Sequence, residues 1–437
     1  MEGSQNDRLA AYDALVVGSG PSASAIAGGL AAAGRRVLVL PGSGVPKPPE
    51  VPAGPGVVCV ADSVSEALAS LKTPRRVLLA PAAHEDVEVL LRPVCARLEP
   101  TDMVGDLSES FFREAEQRAS LVASTGQRYV GLAVLASRTG GDSVYLASGH
   151  RAGYEGMKQL LFGATGEDGG LMPFMGGGGA AHMVKTAHET LLDCQVQSLV
   201  EACRVLAART RVGPKDLAAE VGAWADVAEG GQTPGWWEQW SGEGLRMVPP
   251  PGVQSAAWAN WARQTAMQFS IAVPSLVAAA QARVLRTAYV GAGASAGADA
   301  TTPAGLEGYA KRCQEALAAA GAAQVVQGLA LVSGVSEGLH FGTDVTTVAS
   351  GWHKAGLLSP QPLTAARDGL LRGLRGTDLV HAEPVAGLLR SSVGSLRLLL
   401  IDAIQVGSPC PVLTSSLVYL DSLALLAGKN VCGTAPC

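Results

Sequence analysis

The chain has 437 residues, 48% of them hydrophobic and only 16% charged, which is enough for two or three domains with substantial cores. A net charge of -5, with no Lys/Arg cluster interleaved with aromatics, argues against nucleic acid as a partner. No run reaches the roughly 20 uninterrupted apolar residues of a membrane span; Ile271–Leu285, one of the longest, is broken by Pro274, Gln281 and Arg283.

Short β-rich runs alternate with helical patterns over the first third, the arrangement of a parallel sheet with crossover helices. Leu15-Val16-Val17 leads into Gly18 and an Ala-rich helix ending near Ala33. Arg36–Leu40, Val57–Val60, Arg76–Leu79 and Asp102–Val104 read as further strands, each trailed by a helical segment or loop, with Pro41–Pro55 as a surface loop. Tyr129–Leu135 and Ser143–Ala147 read as two closing strands, followed by a helix near Tyr154–Phe162. From Gly176–Gly179 onward the pattern becomes helical, beginning with a segment from Ala180 to about Arg209 that spans roughly 45 Å at the α-helical rise.

The eight cysteines include no C-x-x-C pair, and a chain of this size does not need disulfides, so buried free thiols are expected. Cys432 and Cys437 are the expected exceptions, as exposed thiols. No spacing of His, Cys, Asp or Glu suggests a metal. Trp236, Trp237 and Trp240 form a local aromatic cluster suited to a core patch or a protein contact. The polar, acidic N-terminus carries no apolar or Arg-rich presequence, which makes cytoplasm the default location and leaves a processed organellar protein as the alternative.

Gly18-Ser19-Gly20-Pro21-Ser22-Ala23 stands between a strand and a helix, the context of a dinucleotide fingerprint. Gly18 permits the tight turn, Gly20 lets backbone approach a pyrophosphate, and Ala23 allows close helix–strand packing. Such glycines also serve packing alone. The end of the second strand, Pro41-Gly42-Ser43, offers neither the acid that binds ribose hydroxyls nor an Arg for a 2′-phosphate. The expected architecture is a Rossmann-type α/β domain over residues 1–178, followed by a large all-α domain over 179–437.

The segment Gly179-Ala180-Ala181-His182-Met183-Val184-Lys185-Thr186-Ala187-His188-Glu189-Thr190-Leu191-Leu192 resembles the catalytic helix of decarboxylating 6-phosphogluconate dehydrogenases, G-A-G-H-F-V-K-M-V-H-N-G-I-E. Lys72-Thr73-Pro74-Arg75-Arg76-Val77-Leu78-Leu79 is similar to the family's K-K-P-R-R-I-I-L. Trp224, then Trp261 with Ala282-Arg283, and finally Gln405-Val406-Gly407-Ser408-Pro409-Cys410-Pro411 match further family patches in the same order. The resemblance implies NADP-dependent oxidation of 6-phosphogluconate at C3, followed by loss of carbon dioxide. It also implies a Lys as general base and a Glu as the acid that protonates the enol carbon.

Lys185 and His188 fill the first two places of that constellation, and Leu192 fills the third, where a proton donor is required. Asp193 is one residue on and about 100° around the helix. Glu189, four residues from Lys185, is within ion-pair reach and would hold it as ammonium. The family's Asn after the fifth strand falls at Glu109, a substrate Lys at Asn260 and an Arg near Ser359. The family's S-G-G substrate loop falls at Leu135-Ala136-Ser137, or at Thr139-Gly140-Gly141 if shifted. The family's R-D-Y-F-G-A-H tail is not matched before Cys437.

The reading is a 6-phosphogluconate dehydrogenase-like pseudoenzyme in which Lys185 and His188 are relics, with Gly18, Gly20 and Ala23 as a weak NADP site and no metal. Its expected partners are proteins, either a second copy through the helical domain or a larger assembly. The alternative is an active NADP-dependent dehydrogenase of 6-phosphogluconate or a related hydroxy acid.

Overall fold

The computed structural model describes residues 12–42, 56–82, 85–135, 143–164, 172–227, 256–288, 306–374 and 376–427. Most of the Pro41–Pro55 loop, the Ala136–Gly141 stretch, the Trp236, Trp237 and Trp240 cluster, and Cys432 and Cys437 lie outside them. The chain forms two compact units, Met1–Lys185 with Leu339–Asp344, and Thr186–Gly338 with Val345–Cys437. The sequence reading divides the chain at 178/179; by contacts the division falls after Lys185, and a short later segment returns to the first unit.

The first unit is a seven-stranded sheet of order β3-β2-β1-β4-β5-β6-β7. Its strands are β1 (Ala14–Val17), β2 (Arg36–Leu40), β3 (Val57–Val60), β4 (Arg76–Leu79), β5 (Met103–Asp106), β6 (Arg128–Leu135) and β7 (Val144–Gly149). Adjacent strands up to β6 are parallel, and β7 pairs antiparallel with β6, with Leu132 opposite Ala147. All four residues of β1 are buried, as both faces of a parallel sheet must be when helices cover them. Successive side chains alternate between the faces. Ala14 and Val16 therefore join Val37, Val39 and Leu78 in one core layer, while Leu15 and Val17 join Leu38, Val77 and Leu79 in the other.

The covering helices are α1 (Pro21–Ala32), α2 (Val64–Ala69), α3 (Val87–Cys95), α4 (Phe112–Ser124) and α5 (Arg151–Leu161). Small residues on α1 permit close approach, since a Cβ on Gly29 would lie 2.3 Å from the Ala164 carbonyl oxygen. Ser63 caps α2 by accepting from Glu66 N at 3.2 Å, and Asp86 caps α3 by accepting from Glu88 N at 2.8 Å.

The second unit is helical. It contains α6 (Ala180–Thr210) from Thr186 onward, α7 (Pro214–Val227), α8 (Ala256–Gln268), α9 (Pro274–Ala288) and α10 (Leu306–Leu339) up to Gly338. It continues with α11 (Val345–Ala355), α12 (Pro360–Leu371), a 3-10 turn (Gly376–His381), α13 (Glu383–Gln405) and α14 (Pro411–Leu426). By length and composition α10 and α13 could each cross a membrane, but 78% of the most apolar window of α10 is buried inside the protein. It is a core helix, buried all round between Ala319 and Leu329.

Several buried polar side chains of this unit bond one another. Gln327 accepts from Ser275 N at 2.9 Å and donates to Ser275 Oγ at 2.9 Å. Gln324 donates to Ser198 Oγ at 2.7 Å and to Ser416 Oγ at 3.1 Å, so α6, α9, α10 and α14 are joined by one buried network. The N-terminus of α14 has no side-chain cap of its own. Glu201 of α6 supplies one from a distance, accepting from Val412 N at 3.1 Å and Leu413 N at 3.0 Å.

Burial raises the Glu201 carboxyl from 4.5 to about 7, even though these N–H donors and Gln197 favour the anion. The folded protein thus holds this proton after the unfolded chain has released it, and stability falls as pH rises from about 4.5 to about 7. Glu201→Gln, whose amide oxygen still accepts, should flatten that fall, which amounts to on the order of 3 kcal/mol. Urea denaturation midpoints measured across this pH range test the prediction.

Candidate functional site

In the first unit, the Gly-rich turn links β1 to α1. Gly18 sits at φ +126°, a conformation that favours glycine. Its missing Cβ would lie 2.3 Å from the Ala80 carbonyl oxygen, and that of Gly20 would lie 2.5 Å from the Pro81 carbonyl oxygen. Both glycines are therefore required by the chain that follows β4. Ala23 is fully buried in the core layer beneath α1, as its small size predicts.

The turn's N–H groups have partners within the same unit. Gly18 N donates to Leu40 O at 3.0 Å and Gly20 N to Ala80 O at 3.4 Å. Ser19 N donates to Glu85 Oε2 at 3.1 Å, and Ser19 Oγ donates to Glu85 Oε1 at 2.6 Å. The same carboxylate accepts from Ala82 N at 2.5 Å. It also reaches the end of β2, where a Cβ on Gly42 would fall 1.6 Å from Glu85 Oε1. Glu85 carries no motif and was invisible to sequence reasoning; only its place in the loop after β4 could have drawn attention to it.

Lys185 closes the first unit and is nearly buried, at 8% exposure. Sequence spacing nominates Glu189 as its carboxylate. The structure brings Glu109, from the loop after β5, onto Lys185 Nζ as an ion pair, while a Glu189 oxygen lies 3.2 Å from His188 Nδ1. Glu109 is the position at which the sequence comparison already placed a lost Asn, so the signal was present but its consequence was not read from it.

A buried network fixes that loop. Asp106 accepts from Arg118 Nε at 2.8 Å, from Tyr129 Oη at 2.7 Å and from Ser108 N at 2.9 Å. Burial alone would raise the Asp106 carboxyl, but the Arg118 guanidinium, His182 and these hydrogen bonds hold it below its ordinary value of 3.8. Arg118 is correspondingly held charged, and burial with the Asp106 charge raises the Tyr129 phenol. Burial pulls the His182 imidazole down, and its Nε2 lies 3.2 Å from the Ser108 carbonyl oxygen, the geometry of a neutral ring donating to backbone. His182 is a packing residue of this network.

In the second unit, His188 is fully buried, with its ring centroid 6.1 Å from that of Trp352. Among the described residues its Nε2 has no hydrogen-bond partner. Leu192 is buried at 4% exposure. Asp193, the nearest acid in sequence, is ion-paired with Arg283 of α9 at 2.5 Å. Asn260 is exposed, and Ser359 N donates to Gln195 Oε1 at 2.8 Å in forming the start of α12. Among the described residues no group of three or more His, Cys, Asp or Glu side chains could hold a metal ion.

Residues 255–429 match the family model for the 6-phosphogluconate dehydrogenase C-terminal domain. The decarboxylating 6-phosphogluconate dehydrogenase of Synechococcus elongatus is 24% identical over 389 residues, covering 82% of this chain and 80% of that protein. That of Synechocystis is 22% identical over 385 residues, covering 82% and 79%. The 6-phosphogluconate dehydrogenase of Plasmodium falciparum superposes with a TM-score of 0.76 at 17% identity, covering 94% of this chain and 92% of that one. At such identity the superposition shows the shared two-domain fold.

The Asp106–Arg118 pair yields a test of what holds the Glu109 loop. Arg118→Leu leaves a buried carboxylate uncompensated and should cost about 3–5 kcal/mol, read from urea denaturation. Because the folded Asp106 value lies below 3.8, its contribution is present above that pH and is lost as pH falls through the folded value. The wild type should therefore lose stability in acid more steeply than the variant.

Proposed function

The chain belongs to the 6-phosphogluconate dehydrogenase family, and from that premise we propose that it has lost the family's chemistry and serves as a structural or interaction subunit. The observation that carries this reading is Leu192, a buried side chain with no proton to give, seven residues from the Lys that the family uses as base.

Two further contacts support it. Lys185, which would have to reach a substrate hydroxyl to act as a base, is engaged by the Glu109 carboxylate in an ion pair. Asp193, the acid next in sequence to Leu192, is held by Arg283. A phosphorylated sugar acid also needs cations to offset its charge, and Asn260 and Ser359 stand where the family supplies two of them. Purified protein incubated with 6-phosphogluconate and NADP should form no reduced cofactor; formation at an ordinary enzymatic rate would sink the reading. Retention of Lys185 and His188 favours one alternative, an active NADP-dependent dehydrogenase of a related hydroxy acid. A panel of β-hydroxy acids in the same assay separates the two.

A subunit role needs a surface to act through. On α13, Ile401 and Ile404 are 51% and 81% exposed, and Leu425 and Leu426 of α14 are each 83% exposed. Exposed apolar residues of this size suit a protein contact, whether with a second copy or another chain. Light scattering should give a mass above that of one chain, and Ile401→Lys with Ile404→Lys should lower it; a monomeric wild type would remove the homodimer.

A further inference from the structure

A dinucleotide-binding turn works because its N–H groups, with the positive end of the following helix, are free to face a pyrophosphate. Here those of Gly18, Ser19 and Gly20 are already engaged. Gly18 N and Gly20 N donate to the Leu40 and Ala80 carbonyl oxygens. Pro21 has no N–H to offer. Both donors of Ser19, its N and its Oγ, go to the Glu85 carboxylate.

Glu85 is held there by a third bond, from Ala82 N at 2.5 Å, so one short loop both supplies the anion and fixes it in place. The carboxylate also lies against Gly42, beyond the end of β2, where a Cβ would fall 1.6 Å from Oε1 and would have to displace it. That is where the fold ordinarily places the group that recognises the adenosine ribose, and no such side chain is present. The site thus departs from the family's cofactor requirement in two ways: an anion occupies the turn, and the discriminating residue is absent.

We propose that Glu85 is an internal ligand of the Gly18–Gly20 turn, taking the place of a dinucleotide pyrophosphate and excluding it by charge and by occupancy. The inference stands on the first unit alone and does not rest on the loss of the acid at Leu192. A pseudoenzyme could still bind NADP; this chain does not, because its own carboxylate has the donors.

The test is a calorimetric titration of the full-length protein with NADP and, separately, with NAD, comparing wild type, Glu85→Ala and Glu85→Gln. Wild type should give no binding heat with either nucleotide. Removing the negative charge should yield measurable affinity for at least one, tighter than the wild-type limit by about tenfold or more. Thermal melting of the same samples shows that the variants are folded. If Glu85→Ala does not fold, Glu85→Gln, which keeps the side chain's length and its acceptor, carries the comparison.

Three results overturn the proposal. The first is tight NADP or NAD binding by wild type. The second is NAD binding by wild type that is lost in Glu85→Ala, which would make the carboxylate a ribose ligand. The third is a pair of folded variants that bind no better than wild type. Turnover is read separately: a variant that gains NADP affinity and still reduces none of it places the cofactor block at Glu85 and the chemical loss elsewhere, whereas wild-type turnover would refute the functional reading as well.

Discussion

A charge withdrawn from water must be met by an opposite charge or by a set of N–H donors, and this requirement organises both units. Asp106 is met by Arg118, Tyr129 and the Ser108 amide. Glu201 is met by the first amides of α14, Asp193 by Arg283, Lys185 by Glu109 and Glu85 by Ser19. In each unit these pairings tie together segments that are distant in sequence.

Much of the architecture could be read directly from the residues. The alternation of β-rich and helical runs located every strand of the sheet to within a few residues, because a strand buried on both faces must be apolar along its whole length. The long helix beginning at Ala180 was equally plain. What could not be read was contact between segments distant in sequence. A carboxylate that meets Lys185 comes from a loop 76 positions away, out of reach of the i+4 rule. Helical spacing lists only the neighbours that a helix brings with it. Glu85 was missed for the same reason, since its partner Ser19 lies 66 positions earlier and neither residue is unusual alone.

The glycines of the turn after β1 are required by the fold itself. Gly18 and Gly20 each face a backbone carbonyl at a distance no Cβ could tolerate, so the turn needs both of them whether or not anything binds. Position 192 on α6 is different: no such backbone constraint is seen there, and its leucine side chain is simply buried.

The buried glutamines of α10 lead to a separate conclusion about how this helix can move. Gln324 and Gln327 each meet serines on other helices, and a slide of one turn, roughly 5.4 Å, would strip both amides of their partners at once. These hydrogen bonds set the register of the central helix, and sliding it along its axis costs the pairing of both amides.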